Sequence, residues 1–158
     1  MRYKTTIEID RPVAEVFRIV ATDFVDSYPK YCIKAAKVDI HSPGPLAVGT
    51  TGAITARMPS GLHSVDFRVT AYEPGRLLSF ESWYRGMSSR GSYFFDATRH
   101  DTTKLTIIDE IDVGGVRAWL FLLTKPFVRA GARADVRRLK ELIEAGKPPS
   151  GRETSRES

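Results

Sequence analysis

The sequence predicts an α+β domain in which a curved, seven-stranded antiparallel sheet wraps around a long C-terminal helix, with two short helices after the first strand. Three observations lead to this fold class. One strand pattern and a helical segment open the chain, six alternating segments joined by short turns fill its middle, and one long segment of helical periodicity follows. Short turns between consecutive strands favour antiparallel pairing, and a twisted sheet of this size curves and needs an apolar cover.

The N-terminal part predicts the first strand and both short helices. Residues 3–9 alternate polar and apolar side chains, as a half-buried strand does. Pro12 follows in the first turn of a helix, with Asp10 or Arg11 near its N-cap. One buried stripe then recurs at helical spacing and ends near Ala21: Val13, Val16, Phe17 and Val20. Residues 23–31 are expected to form a second short helix or helical turn capped by Asp23.

The middle of the chain predicts six strands separated by turns rich in Gly and Pro. Glycines inside a strand pattern indicate a bulge or a close backbone approach, and Gly49 and Gly52 stand at such positions. The predicted strands are residues 35–41, 48–58, 62–73, 76–85, 87–99 and 104–113.

The long helix is predicted at residues 116–146. Its first half carries an apolar stripe at three- and four-residue intervals, consisting of Val116, Trp119, Leu120, Leu123 and Phe127. The second half keeps that spacing on a rotated face: Val128, Ala132, Val136, Leu139, Leu142 and Ile143. Pro126 removes a backbone donor between the two stripes, so a kink or a short break is expected there. No other segment is long enough to cover the concave face of the sheet, and the geometry leaves space between sheet and helix.

Residues 1–146 are expected to form a single domain, because 158 residues suit one core and no repeat divides them. Residues 147–158 lack apolar side chains other than proline and predict a disordered tail. The first ten residues do not have the basic and apolar regions of a signal peptide, and the longest apolar run, residues 118–123, is too short for a bilayer. A single cysteine, Cys32, fits a reducing compartment, so a cytoplasmic location is expected.

The net charge of +5 is partly concentrated on the last helix, where Lys125, Arg129, Arg133 and Arg137 follow one another every four residues. This basic stripe is either a solvated helix face or a surface for an anionic membrane or an acidic partner. Nucleic acid is not expected as a partner, because no binding motif or interleaved aromatic pattern accompanies the charge. The histidines lie near three separate turns, which disfavours a metal site, and no phosphate loop or nucleophile elbow is present. No cofactor is predicted.

Several short motifs, in this order and spacing, resemble one known group. They are residues 9–17 (a strand running into a proline-started helix), Asp23-Phe24 with Tyr28-Pro29, Val48-Gly49-Thr50, residues 72–78, Thr103-Lys104-Leu105-Thr106 and Leu139-Lys140-Glu141-Leu142. The sequence resembles the START-like (SRPBCC) superfamily with the helix-grip fold, and within it the polyketide cyclase/dehydrase-like family. The resemblance spans residues 2–146. It implies an internal cavity that binds lipids, quinones, hormones or polyketide intermediates, and it carries over no catalytic residue.

Period-two alternation predicts which strand side chains point into the concave face. For residues 76–85 the choice is open, because Phe80 and Trp83 belong to opposite faces. Tyr28 and Tyr31 either form a lid over the cavity mouth or simply pack a helical turn. The candidate ligand-binding residues are Phe67, Val69, Phe80, Trp83, Tyr93, Phe95, Ile107, Leu120, Leu123, Phe127, Tyr28 and Tyr31.

Asp109 is the polar exception in an otherwise apolar inward set that includes Ile107 and Ile111. A carboxylate desolvated in this way has a raised pKa, and such acids cluster at functional sites. Asp109 could orient a ligand hydroxyl or act as a general acid/base in a cyclisation or dehydration; alternatively, it pairs with a nearby arginine. His63, beside the turn at residues 59–61, is the second catalytic candidate.

Three functions remain open from the sequence. The first is binding of a hydrophobic or aromatic small molecule, of lipid, quinone or polyketide type, in the cavity. The second is a cyclase, aromatase or dehydratase that uses acid/base residues there. The third is a membrane- or protein-interaction module that uses the basic helix. The protein could be a monomer or a homodimer.

Overall fold

The computed structural model describes residues 1–99, 101–115 and 118–146, with residues 118–122 described by their backbone only. This described part of the chain has one strand, two short helices, six strands and one long helix, as the sequence predicts. The strands are β1 (Arg2–Ile9), β2 (Ala35–Ile40), β3 (Thr51–Met58), β4 (Gly61–Glu73), β5 (Leu77–Tyr84), β6 (Met87–Arg99) and β7 (Thr102–Val113). The helices are α1 (Val13–Phe17), which continues as a π-helical segment (Arg18–Thr22), α2 (Phe24–Tyr31) and α3 (Ala118–Glu144).

All seven strands form one antiparallel sheet in the order β1-β7-β6-β5-β4-β3-β2. Consecutive strands from β2 to β7 are neighbours because their connections are short, and β1 adds to the free edge of β7. The predicted helix-grip fold is therefore confirmed. Its register brings Asp109 between Tyr3 of β1 and Gly91 of β6, so one carboxylate lies one strand in from the β1 edge of the sheet.

The second half of α3 closes the core, because Val136, Leu139 and Ile143 are buried. Burial of such side chains removes apolar surface from water and is the main force that holds the helix on the sheet. The C-terminal end of α3 is also fixed by hydrogen bonds. Arg11 Nη2 donates to the carbonyl oxygens of Glu144 (2.6 Å) and Gly146 (3.0 Å), which are among the acceptors left free at a helix end.

Of the kink or short break expected at Pro126, the break is absent, since α3 is a single helix from residue 118 to residue 144. Pro126 lies on an exposed part of the helix, where water can satisfy the carbonyl that loses its donor. Because the helix is continuous, the angle between its two apolar stripes is fixed. At about 100° per residue, Phe127 and Val136 point in opposite directions. Because Val136 faces the core, Phe127 is 78% exposed and Leu123 is 67% exposed.

The strand predicted at residues 48–58 begins only at Thr51. Gly49 has a positive φ of 89°, and the Thr50 hydroxyl accepts a hydrogen bond from the Ala47 amide, so these residues form a turn instead. The close approach predicted at Gly52 is present. A Cβ there would lie 2.3 Å from the Asp39 carbonyl oxygen and 2.8 Å from the Phe67 ring, so only glycine fits.

The other described elements differ from the sequence predictions by one or two residues at their ends. No helix in the described ranges is both long and apolar enough to cross a membrane. The tail predicted at residues 147–158 lies outside the described residues, as do Val116, His100 and the side chains of Trp119 and Leu120.

Candidate functional site

A cavity of about 250 Å³ lies between the concave face of the sheet and helix α3. Strands β3 to β7 supply its floor, the end of α2 supplies one side, and the second half of α3 supplies the roof. The roof residues Ala132, Asp135, Val136 and Leu139 follow one another at three- and four-residue spacing, so a single face of α3 covers the cavity.

The apolar part of the wall is aromatic and aliphatic. Phe80 of β5 and Tyr93 of β6 lie side by side, with ring centroids 5.9 Å apart. Ile54 and Val65 continue the wall on β3 and β4, and Ile107 continues it on β7. Successive inward positions of a pleated sheet line the same surface, which is why these side chains meet although they come from five strands.

Asp109 places a carboxylate in this wall. Its strand partner Gly91 has no side chain, and a Cβ at Gly91 would lie 3.2 Å from Asp109 Oδ1 and 3.1 Å from Phe80 Cζ. Because Gly91 has no side chain, the Phe80 ring and the Asp109 carboxylate can both occupy the space beside it. A glycine in a central strand weakens that strand, so the space it leaves has a cost in stability.

The Asp109 carboxylate forms neither an ion pair nor a side-chain hydrogen bond with any described residue. The pairing with a nearby arginine that the sequence left open is therefore not found in the described part of the chain. Burial alone raises the pKa of Asp109 from its ordinary 3.8 to about 6. The group thus exchanges its proton close to neutral pH, which is where a general acid or base is effective.

Three phenols accompany the carboxylate. Burial is the main cause that raises the pKa of Tyr28, Tyr31 and Tyr93, and the negative charge of Asp109 is a further cause for each. All three are therefore neutral hydroxyls at physiological pH. The Tyr31 hydroxyl has no hydrogen-bond partner in good geometry among the described residues, but it interacts with the Tyr93 side chain, which lowers the pKa of Tyr31 against the larger effect of burial. Because the hydroxyl oxygen is fully enclosed, the group is not presented to a ligand in this conformation.

The junction of α2 and α3 is held by Asp135, whose carboxylate accepts hydrogen bonds from the Ile33 amide (3.3 Å) and from Arg138 (2.9 Å). Burial raises the pKa of the neighbouring Cys32 thiol, and the Asp135 charge raises it further, so the thiol stays protonated. Cys32 therefore contributes a weakly polar wall and no reactive thiolate.

The structure separates the sequence candidates into four groups. Asp109 lines the cavity together with the aromatic and aliphatic candidates Tyr28, Tyr31, Phe80, Tyr93 and Ile107. Buried in the core behind the wall are Phe67, Val69 and Phe95. Outside the cavity lie Trp83, Leu123 and Phe127. The side chain of Leu120 is outside the described residues.

Trp83 lies on the outer face because β5 turns Phe80 and Ser82 inward. Its ring is 41% exposed and is covered by the Arg68 guanidinium, 5.5 Å from the ring centroid. The sequence did not identify which face of β5 points inward, and in the structure it is the face that carries Phe80 and Ser82. Leu123 and Phe127 point away because the continuous helix cannot turn both of its apolar stripes toward the sheet.

His63 lies outside the cavity, beside the turn at its strand end. Its Nε2 is 2.7 Å from the Ser60 hydroxyl, and its ring packs edge-on against Tyr84 with centroids 5.5 Å apart. These two contacts account for its position without a ligand.

Sequence reasoning did not name several wall residues as site candidates, and most of these have small or polar side chains. They are Thr5, Cys32, Lys34, Ala35, Ile54, Ala56, Val65, Ser82, Ser89, Gly91, Ala132, Asp135, Val136 and Leu139. A signal existed for Gly91, because an isolated glycine in a strand pattern marks a close approach. The residue type of the serines gave no comparable indication, because serine fits a strand pattern equally well whether it faces a cavity or solvent.

A family model described as polyketide cyclase / dehydrase and lipid transport matches residues 1–144. No curated protein matches the sequence. The solved structure of the Zhui aromatase/cyclase, from a Streptomyces species, superposes with a TM-score of 0.75 at 13% identity, over 96% of this chain and 98% of that chain.

Norcoclaurine synthase from Thalictrum flavum, solved with dopamine and hydroxybenzaldehyde, superposes with a TM-score of 0.69 at 14% identity, over 94% of this chain and 88% of that chain. The di-domain ARO/CYC protein BexL gives a TM-score of 0.68 at 20% identity, over 91% of this chain. This chain spans about half of BexL, 46% of its length. At these identities the likeness shows the fold, and function has to be argued from the site.

Proposed function

The chain belongs to the polyketide cyclase / dehydrase and lipid transport family, and from that premise we propose that it binds a compact aromatic small molecule in the cavity beneath α3. The observation that carries the proposal is a preformed cavity with aromatic walls and an unpaired carboxylate. Ligand sites are mostly apolar concavities with a few convergent polar groups, and this cavity has that composition.

The size of the cavity favours a ligand of about two rings. A cavity of about 150 Å³ is enough for benzene, whereas pockets for drug-sized ligands begin at about 300 Å³. The volume of about 250 Å³ lies between these limits. It supports a two-ring molecule better than a four-ring polyketide or a long acyl chain.

The polar groups favour a ligand that carries a hydroxyl or a carbonyl. The Asp109 side chain lines the cavity without an ion pair among the described residues; as a carboxylate it can accept a hydrogen bond from a ligand hydroxyl, and when protonated it can donate one to a ligand oxygen. Satisfying this group on binding removes the cost of leaving it unpaired. The ligand class we propose is therefore a two-ring aromatic phenol or ketone.

Titration of the protein with naphthol, a two-ring phenol, is expected to give saturable binding with a dissociation constant in the micromolar range. Ala132→Phe should weaken this binding at least about tenfold, because the larger side chain enters the cavity from α3 and takes the volume that the ligand needs. Isothermal titration calorimetry measures both constants.

The matched control is Ala130→Phe, the same substitution on the same helix at an exposed position that does not line the cavity. It should leave the naphthol affinity unchanged. Equal weakening by both substitutions, or unsaturable uptake by the unsubstituted protein, would contradict binding in the cavity.

A second candidate function is proton transfer to and from carbon by Asp109, as a cyclisation or dehydration requires. Its pKa of about 6 and its lack of an ion pair among the described residues favour this role, since nothing holds the carboxylate permanently ionised. The carboxylate would remove a proton from the carbon next to a ligand carbonyl and later return it.

Tetralone, a two-ring ketone, is a suitable probe for this step. In deuterium oxide the protein is expected to accelerate exchange of the protons next to the tetralone carbonyl, with a rate that rises as the pH passes through about 6, where Asp109 ionises. Asp109→Asn should lower the acceleration at least about 100-fold. Proton NMR follows the exchange.

Asp112→Asn, on the exposed face of the same strand, is the control and should exchange like the unsubstituted protein. The affinity of each variant for tetralone is measured alongside. Undiminished exchange in Asp109→Asn with tetralone still bound would rule out the proton-transfer role and leave the binding function standing.

A further inference from the structure

The first half of α3 carries an apolar surface that the cavity does not use. Leu123 and Phe127 lie one helical turn apart and are 67% and 78% exposed. They are two of the largest exposures among the big apolar side chains in the described residues, and they stand next to each other. Together with Arg133 and Arg137, which flank them on one side of the helix, they form what we call the α3 patch.

The two cations of the patch form no ion pair in the described part of the chain. Arg133 and Arg137 are exposed and unpaired there, whereas Arg129, one turn earlier, packs its guanidinium 5.7 Å from the centroid of the Tyr3 ring. Arg129 and Arg133 also border a groove against the edge strand β1, where Arg2 and Lys4 add positive charge. Arg2 is only loosely paired, with its Nε 3.5 Å from Glu110 Oε1. Positive charge therefore runs along one side of the exposed apolar pair.

We propose that the α3 patch docks on an anionic lipid surface. Interfacial helices combine bulky apolar side chains, which enter the boundary between headgroups and acyl chains, with Lys and Arg that contact anionic headgroups. Leu123 and Phe127 supply the first feature, and Arg133 and Arg137 supply the second. The helix would lie along the membrane with this face down, while its opposite face keeps Val136 and Leu139 in the core.

Two other occupants fit the patch less well. A symmetric contact with a second copy would bring the same arginines of both copies near one another, and like charges oppose such an interface. The segment at residues 147–158 has no apolar side chain other than proline with which to cover Leu123 and Phe127, and it has more basic than acidic residues. An anionic bilayer satisfies both the apolar and the charged part of the patch.

Co-sedimentation with phosphatidylcholine vesicles, with and without phosphatidylserine, tests the proposal. Binding is expected only when phosphatidylserine is present, and it should weaken as salt is added. Leu123→Ser with Phe127→Ser should lower the partition coefficient about tenfold or more. Arg133→Glu with Arg137→Glu should lower it about 30-fold or more, since each cation near an anionic surface contributes about fivefold.

Two controls match these changes on other surfaces. Leu62→Ser removes a leucine that is 66% exposed on β4, and Lys104→Glu reverses an exposed charge on β7. Both should bind vesicles like the unsubstituted protein. No binding to phosphatidylserine vesicles, equal binding to both kinds of vesicle, or a dimer in sedimentation that Leu123→Ser with Phe127→Ser dissolves would each overturn the proposal. None of these results depends on what the cavity binds.

Discussion

Asp109→Asn is expected to raise the melting temperature at pH 7 by about 6–12 °C. Burial raises the pKa of Asp109 from 3.8 to about 6, and a difference of this size corresponds to about 3 kcal/mol against the folded state once the group is ionised. For a protein of this length, about 1 kcal/mol changes the melting temperature by about 2–4 °C. Asparagine is uncharged and nearly the same size, so it removes the cost of burying the charge without leaving a hole.

The effect should depend on pH in one direction. Well below pH 4 the carboxyl is protonated in both the folded and the unfolded chain, so Asp109 costs nothing there. Between about pH 4 and pH 6 the unfolded chain ionises first, and the unsubstituted protein loses stability relative to Asp109→Asn. Above about pH 6 the difference is constant. Thermal melts of both proteins from pH 4 to pH 8 measure it.

Asp112→Asn serves as the control on the same strand, because Asp112 is exposed and its charge stays in water. It should melt like the unsubstituted protein at every pH. If Asp109→Asn is less stable at pH 7, the carboxylate has a partner that offsets its burial, and the argument for a free carboxylate in the cavity fails. A residue that lowers the stability of the folded protein is typical of a functional site. Higher stability of Asp109→Asn would therefore support the proposed function.

Leu139→Ala is expected to lower the free energy of unfolding by about 3 kcal/mol. Leu139 has no exposed surface, and it is both a core residue and part of the cavity roof. Truncation of a buried leucine to alanine loses the transfer free energy of its side chain and leaves a void, and such changes cost about 2–5 kcal/mol. Urea denaturation gives the value.

The same substitution should change what the cavity accepts. Space vacated by the leucine adds to the cavity, so Leu139→Ala should bind a three-ring phenol that the unsubstituted protein excludes. Leu123→Ala is the matched control, since this leucine of the same helix is 67% exposed; its truncation should cost less than about 0.5 kcal/mol. Equal losses from the two substitutions would mean that the second half of α3 does not close the concave face.

The candidate site was only partly predictable from sequence. Alternation on β7 identified Asp109 as inward-facing, because the period of a strand is fixed by its backbone. It did not reveal that the carboxylate lacks an ion-pair partner within the described residues, because pairing depends on strands that meet only in the folded sheet. On β5 both faces carry an aromatic residue, so alternation gave no preference between Phe80 and Trp83.

Local rules of periodicity and turn chemistry determined the order of the elements, the antiparallel pairing and the role of α3 as the cover of the sheet, because each of these follows from neighbouring residues. The tertiary structure decided the rotation of α3. Both of its apolar stripes look equally suited to burial in sequence, but an unbroken helix presents Phe127 and Val136 in opposite directions, and only one of them can meet the sheet. That choice formed the cavity beneath Val136 and left Leu123 and Phe127 on the surface.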